Sequence, residues 1–266
     1  MLGSVTYAEA KVFLATLALT QPRILAMCAL LPLFGRQSMP ALLRYGVGAA
    51  MGLVLVPALA PGYAAADPGW IDVVLLVAKE VFIGLVMGFL VAIPFWIFEG
   101  VGAVIDNQRG ASLGAVINPG TGSDSSPLGI LFNQAFLVFF LVGGGFTLML
   151  TMLYDSFRLW DLWQWTPTLR RESVPLMLDQ LGRYARLVLL LAAPVMVAML
   201  LAELGLALVS RFAPQLQVFF LALPIKSGLA LLVLALYMGT LFDHAEEAVR
   251  AIGAAVPFLD EQWRSP

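Results

Sequence analysis

Charge is what this chain has least of. Lys, Arg, Asp and Glu together make up 12% of the 266 residues, against 61% for hydrophobic types, and a soluble domain of this length could not cover its surface with so little polarity. Such a composition, with a mean hydropathy of +0.90, belongs to an integral membrane protein. The two signs nearly cancel, at a net charge of −2, which leaves no basic face for nucleic acid and no acidic solvating tail. Histidine and cysteine are scarcer still, one of each. His244 and Cys28 cannot assemble a His/Cys metal site, and a single thiol forms no intrachain disulfide. Cys28 sits in an apolar run and reads as a small core hydrophobe. No G-x-S-x-G elbow, P-loop or H-E-x-x-H is present. Asp243 and His244 are neighbours that would point about 100° apart on a helix, so they read as a solvated helix end rather than a relay. Nothing here argues for an enzyme, a metal or a cofactor. Nor does the start suggest a cleaved signal, since Glu9 and Lys11 precede an apolar run that continues past Arg23.

What is abundant is apolar sequence. Six windows of membrane-spanning length fall near 12–35, 45–62, 73–98, 128–154, 184–210 and 216–242, each near the ~20 residues needed to cross the hydrocarbon layer. The stretches 81–98 and 128–154 carry no charge and read as unbroken spans. The windows 12–35, 73–98, 184–210 and 216–242 are interrupted in turn by Arg23 after Pro22, by Lys79 and Glu80, by Glu203, and by Lys226 after Pro224. A bare charge at bilayer depth costs at least about 2.5 kcal/mol, so each must pair, face protein or meet water. Arg23 and Lys79 read as anchors reaching for the interface. The prolines predict bent helices. The positive-inside rule gives no consistent topology: Arg36 and Arg44 put the first loop inside and Asp67 and Asp72 put the second outside. Parity then puts 155–186, with five arginines, outside as well. Either one helix does not span, or partners fix the orientation; the second reading is preferred.

Glycines mark close approaches. Gly84 and Gly88 have small-xxx-small spacing, and Gly143, Gly144 and Gly145 suggest a tight contact or a hinge within the fourth helix. Trp160, Trp163 and Trp165 resemble an interfacial aromatic belt, or else a docking surface. The stretch 105–129, IDNQRGASLGAVINPGTGSDSSPLG, is the largest polar insert. Its turn formers predict irregular backbone, and irregular backbone at membrane depth must be buried in protein or line a watery cavity. Asp106 and Arg109 are spaced to pair on a helical turn. An exposed loop and a loop folded into a pore are both open readings of these residues.

The run IDNQRGAS, followed by NPGTGSDSSPLG and LFNQAFLVFF, resembles the export-gate family of type III secretion, the SctT proteins and their flagellar FliR relatives. A second stretch, RFAPQLQVFFLALPIKSG at 211–228, resembles that family's C-terminal helix–loop–helix signature. The likeness spans nearly the whole chain and lies closer to the virulence-associated branch. It implies an all-α membrane protein of about six apolar helices in bent hairpins, one subunit of a helical export gate in the bacterial inner membrane, partly raised toward the periplasm.

By that resemblance, residues 1–183 form an SctR-like part with a central plug loop (105–127) and a polar loop (155–183), residues 184–242 an SctS-like hairpin, and 243–266 a tail with a partly amphipathic face of Ala245, Val249 and Ile252. The plug would comprise Asp106, Asn107, Gln108, Arg109, Gly110, Gly114, Asn118, Pro119, Gly120 and Gly122. The subunit-contact hairpin would include Glu203, Arg211, Pro214, Gln215, Gln217, Pro224 and Lys226. The implied partners are SctR-like and SctS-like membrane subunits, an SctU-like switch protein, rod or needle-adaptor subunits, unfolded secreted proteins in transit and membrane lipid, with no nucleic acid. The signature also allows a geometric expectation. With a turn near Pro214, Glu203 and Lys226 lie at similar depth, roughly 17 Å from it at about 1.5 Å per residue, and are expected to pair. A stand-alone small-solute transporter is the alternative, but it would show paired half-repeats, and residues 1–130 and 131–266 share no such pattern.

Overall fold

The computed structural model describes residues 6–35, 38–66, 68–111, 126–164, 173–213 and 218–253. Among the described residues there is no strand. The described residues hold seven α-helices: α1 (Tyr7–Ala29), α2 (Ala41–Ala66), α3 (Trp70–Arg109), α4 (Pro127–Val142), α5 (Gly145–Leu159), α6 (Ser173–Phe212) and α7 (Val218–Gly253), with a short 3₁₀ turn at Pro32–Phe34. Five of them are long and apolar enough to cross a membrane, and the pair α4 and α5 is a sixth candidate if it forms one broken span. The chain is an all-α, multi-pass membrane protein.

Local chemistry sets the helix ends. At the start of α1 the Glu9 carboxylate accepts from the Thr6 backbone N–H at 2.8 Å, half of a capping box that satisfies an otherwise orphan donor. Pro127 opens α4 at a position where its missing N–H costs nothing. The glycine run at 143–145 ends one helix and begins the next. Gly143 N–H closes α4 on the Phe139 carbonyl at 2.7 Å, and Gly144, at φ 77°, takes the left-handed conformation that a side chain would strain. The uninterrupted span expected at 128–154 is therefore two helices of 16 and 15 residues, each short of the ~20 that a crossing requires. That break undermines the parity count that left 155–186 with the wrong sign.

Elsewhere the helices overrun their expected ends. α3 continues through the stretch expected to be irregular from residue 105, because Ile105 is buried and Asp106 pairs with Arg109 one turn on. It stops at Gly110 (φ 84°), where Ala111 N–H reaches the Asp106 carbonyl and Gly110 N–H the Asn107 carbonyl, at 3.0 and 3.2 Å, a Schellman closure. α6 begins at Ser173, taking in the last eleven residues of the loop expected at 155–183. α7 runs past 242 to Gly253, with Ala245, Val249 and Ile252 buried on one face. His244 is thus mid-helix, its Nδ1–H donating to the Thr240 carbonyl at 2.8 Å.

Packing divides the chain into two compact units, residues 1–92, 144–174 and 250–266 in one, and 93–143 and 175–249 in the other. These boundaries fall elsewhere than at 183/184. In the first unit α3 lies directly on α1: a Cβ at Gly84 would come 2.3 Å from the Arg23 carbonyl oxygen, and one at Gly88 would come 2.8 Å from that of Met27. Ile24, Met27, Ile83 and Met87 fill the contact, and Cys28 is buried beside them. In the second unit Phe136 stacks on Phe98 and meets Phe95 edge-on, both at 4.8 Å between centroids, and Phe140 lies 5.2 Å from Phe95. Such pairs add about 0.5–1.5 kcal/mol beyond their burial.

Gly84→Ala is expected to lower stability by about 1–3 kcal/mol, since backbone must move to admit the methyl. Gly46→Ala, where nothing lies within 4 Å, should be neutral or gain up to about 1 kcal/mol from helix propensity. The thermal midpoints of the two detergent-solubilised variants test this; equal midpoints would refute the close contact.

Candidate functional site

Three polar groupings interrupt the apolar helices. The first surrounds Asp106, at the C-terminal end of α3 in the second unit. Its side chain is almost wholly buried. Oδ1 accepts from Arg109 Nε at 2.6 Å; Oδ2 accepts from the Ser126 hydroxyl and, at 2.8 Å, from the Leu128 backbone N–H. Ser126 Oγ in turn accepts from Gly129 N–H at 2.8 Å, capping α4. One carboxylate thus holds the end of α3 and the first turn of α4, where the helix dipole favours negative charge. Backbones touch here as well: a Cβ at Gly102 would lie 2.4 Å from Gly129 N. Next along α3, Asn107 is exposed, and Gln108 Nε2 donates to the Met196 carbonyl of α6 at 3.2 Å. Of the expected plug residues, Asp106, Asn107, Gln108, Arg109 and Gly110 are therefore helical or helix-ending; Gly114, Asn118, Pro119, Gly120 and Gly122 lie outside the described residues.

The second grouping went unread in the sequence. Arg23 and Lys79 were expected to reach for the membrane interface, and instead both turn inward within the first unit. Arg23 and Glu80 have side chains 0% exposed. Arg23 Nε donates to Glu80 Oε2 at 2.6 Å and Nη2 to Oε1 at 2.9 Å, a bidentate fork. Nη1 reaches Ser156 Oγ at 3.1 Å and Nη2 also reaches the Trp160 carbonyl at 3.0 Å, while the guanidinium lies 3.9 Å over the Phe157 ring. Lys79 Nζ sits 3.0 Å from Glu80 Oε1 and donates to the carbonyls of Asp161, Leu162 and Gln164 at 2.8–2.9 Å. The signal was the adjacent, opposite charges of Lys79 and Glu80.

Trp160 and Trp163 pack within this region. Trp160 is buried. The Trp163 indole N–H donates to the Leu59 carbonyl at 3.1 Å, its ring fills the space over Gly62, and it meets Tyr63 edge-on at 5.7 Å. Trp165 is outside the described residues.

The third grouping is the α6–α7 pair. Lys226 Nζ donates to Glu203 Oε2 at 3.4 Å, with the lysine side chain 10% and the glutamate 53% exposed. Pro224 lies within α7 and Arg211 is exposed in the last turn of α6; Pro214, Gln215 and Gln217 lie outside the described residues. Among the described residues no cluster of three or more His, Cys, Asp or Glu could hold a metal ion.

Residues 14–252 match the family described as bacterial export proteins, family 1. The chain belongs to that family. It is similar to Yop proteins translocation protein T of Yersinia pestis, 39% identical over 92% of this chain and 94% of that protein. It is also similar to the secretion system apparatus protein SsaT of Salmonella typhimurium, 32% identical over 87% and 90%, and to the flagellar biosynthetic protein FliR of Bacillus subtilis, 28% over 83% and 85%.

For this family member, Glu80→Gln would leave two buried cations short of a counter-charge and is expected to cost about 3–5 kcal/mol, whereas Arg23→Met with Glu80→Met should recover a good part of that loss; unfolding in mixed micelles measures both. For the α6–α7 pair, Glu203→Lys and Lys226→Glu should each reduce assembled protein. The double exchange should restore at least half of it, read as the yield of intact complex; a double variant no better than the singles rules the pairing out as a contributor.

Proposed function

We propose that the protein is the SctT-type subunit of a type III secretion export gate, forming part of the channel entrance through which unfolded proteins leave the cell. The observation that carries this reading is the 39% identity to the Yersinia pestis translocation protein over 92% of the chain, supported by the apparatus and flagellar names of the other relatives. On this reading it sits in the bacterial inner membrane within a multi-subunit complex of SctR-like and SctS-like proteins, beside an SctU-like switch protein and rod or needle-adaptor subunits. Its first 183 residues correspond to the SctR-like part and 184–242 to the SctS-like hairpin.

Geometry supports a position partly raised toward the periplasm. α3 and α6 have 40 residues each, roughly 60 Å at about 1.5 Å per residue, twice the ~30 Å hydrocarbon thickness. Helices of that length do not fit a regular bundle across one bilayer. The subunit needs no chemistry of its own: a gate must hold back small ions yet yield to a polypeptide. The connection 110–126, glycine-rich and tied at both ends to helices, fits the part of a resting plug. A stand-alone transporter is the weaker reading, because the family is one of export proteins.

Deleting 114–122 is expected to make resting cells leak small ions at least several-fold faster while the complex still assembles. Conductance unchanged in an assembled deletion complex would reduce this connection to a linker.

A further inference from the structure

The two ends of the 110–126 connection are held by the same side chain. Asp106 lies on the last full turn of α3, four residues before the left-handed Gly110, and its carboxylate receives donors from both sides of the connection: Arg109 from before it, Ser126 and Leu128 from after it. The backbone of the same residue accepts Ala111 N–H, so side chain and carbonyl together fix residues 109, 111, 126 and 128. The carboxylate is buried, the Leu128 N–H it accepts is an orphan of the first turn of α4, and the Arg109 guanidinium is largely buried. Gly102 and Gly129 complete the site, since their lack of side chains lets the two backbones come close enough for the carboxylate to span them.

We propose that Asp106 is a positioning residue that clasps the two roots of the 110–126 connection, so that α3 and α4 stay joined at this point and any rearrangement for passage is confined to the connection itself. A carboxylate is the side chain that can do this: it accepts at both oxygens and donates at neither, so it can hold an arginine, a hydroxyl and a backbone amide at once. An asparagine in its place keeps an acceptor for the Leu128 amide and turns an N–H toward a donor on its other side. An alanine removes all three contacts.

The clasp is tested by amide hydrogen exchange on the intact, detergent-solubilised complex carrying Asp106→Ala, Asp106→Asn or Ser126→Ala. In Asp106→Ala, Leu128 and Gly129 should exchange at least ten-fold faster, while amides of the buried phenylalanine cluster at 95–98 keep their rates. Asp106→Asn should lie between alanine and the native chain. Uniform acceleration throughout the second unit would show a general packing role and overturn the proposal, as would unchanged rates at 128–129. If Asp106→Ala yields no complex, Ser126→Ala decides in the same way, since it removes one arm of the clasp and the α4 cap without exposing a charge.

The consequence for gating rests on the plug reading and is measured separately as ion leak in resting cells. The proposal expects Asp106→Ala to leak if deletion of 114–122 leaks. A leaking deletion with a tight Asp106→Ala complex would overturn the proposed joining of the roots and leave the plug standing. A tight deletion would sink the plug while the exchange result still judges the clasp.

Discussion

The carboxylate of Glu80 is the contact on which the first compact unit depends. It stands between two cations, forked by Arg23 and 3.0 Å from Lys79, in a helix that is otherwise apolar for several turns. The trio carries one surplus positive charge. The Asp161 carboxylate acts on both cations, and the carbonyls of Trp160, Asp161, Leu162 and Gln164 all accept from Arg23 or Lys79. Lys79 has three N–H donors and places them on three carbonyls, so its contact with Glu80 is electrostatic. The turn after α5 would otherwise present its carbonyls to a medium unable to hydrogen-bond them. The cations therefore solve two problems, neutralising Glu80 and capping the irregular end of α5, and neither solution survives without the acid that allows them to be buried.

Asp106 repeats the device in the second unit, with backbone amides in place of carbonyls. There a single acid collects an arginine, a hydroxyl and the otherwise unpaired N–H of Leu128 at the start of α4. Both acids lie on α3 and both secure the end of another helix: Glu80, through its cations, the C-terminal end of α5, and Asp106, directly, the N-terminal end of α4. Helix dipole and charge agree in each case, cations meeting a C-terminus and an anion meeting an N-terminus. Between those secured ends the chain breaks at Gly143 and Gly144, where a left-handed glycine allows the interruption without strain.

Composition and window length were enough to read the class, the number of apolar segments and most of their centres, because twenty consecutive apolar residues admit few alternatives in a chain this long. Helix ends were less legible. Ile105 to Arg109 looked like loop because they open a stretch, 105–129, rich in the turn formers Gly, Asn, Ser and Pro, yet a buried isoleucine and an i,i+3 ion pair extended α3 to the first glycine that could close it. The break at 143–145 was visible as three glycines, but purity of the surrounding window outweighed it. Arg23 and Lys79 were seen one at a time, as charges near ends of apolar runs, where reaching for the interface is the usual outcome. The pairing of Arg23 with Glu80 joins residues 57 positions apart, and nothing in one sequence links such positions. Glu203 and Lys226 were easier, because a hairpin makes depth a simple count from its turn.

That last pair also says what surrounds the chain. Glu203 is 53% exposed on a helix whose neighbouring Leu200, Leu201, Leu204 and Leu208 are exposed too. The leucines alone would suit lipid. A carboxylate satisfied on one side by a lysine at 3.4 Å and open on the other would not, since an ionised group facing hydrocarbon costs at least about 2.5 kcal/mol and is drawn toward water or protein. Gly205 and Gly228 lie nearby in sequence with open space where a side chain would be, and small residues on a membrane helix suit a second helix at close range. Exposed leucine, a half-exposed acid and glycines with open space beside them are what the proposed place in a multi-subunit export apparatus would have other subunits cover.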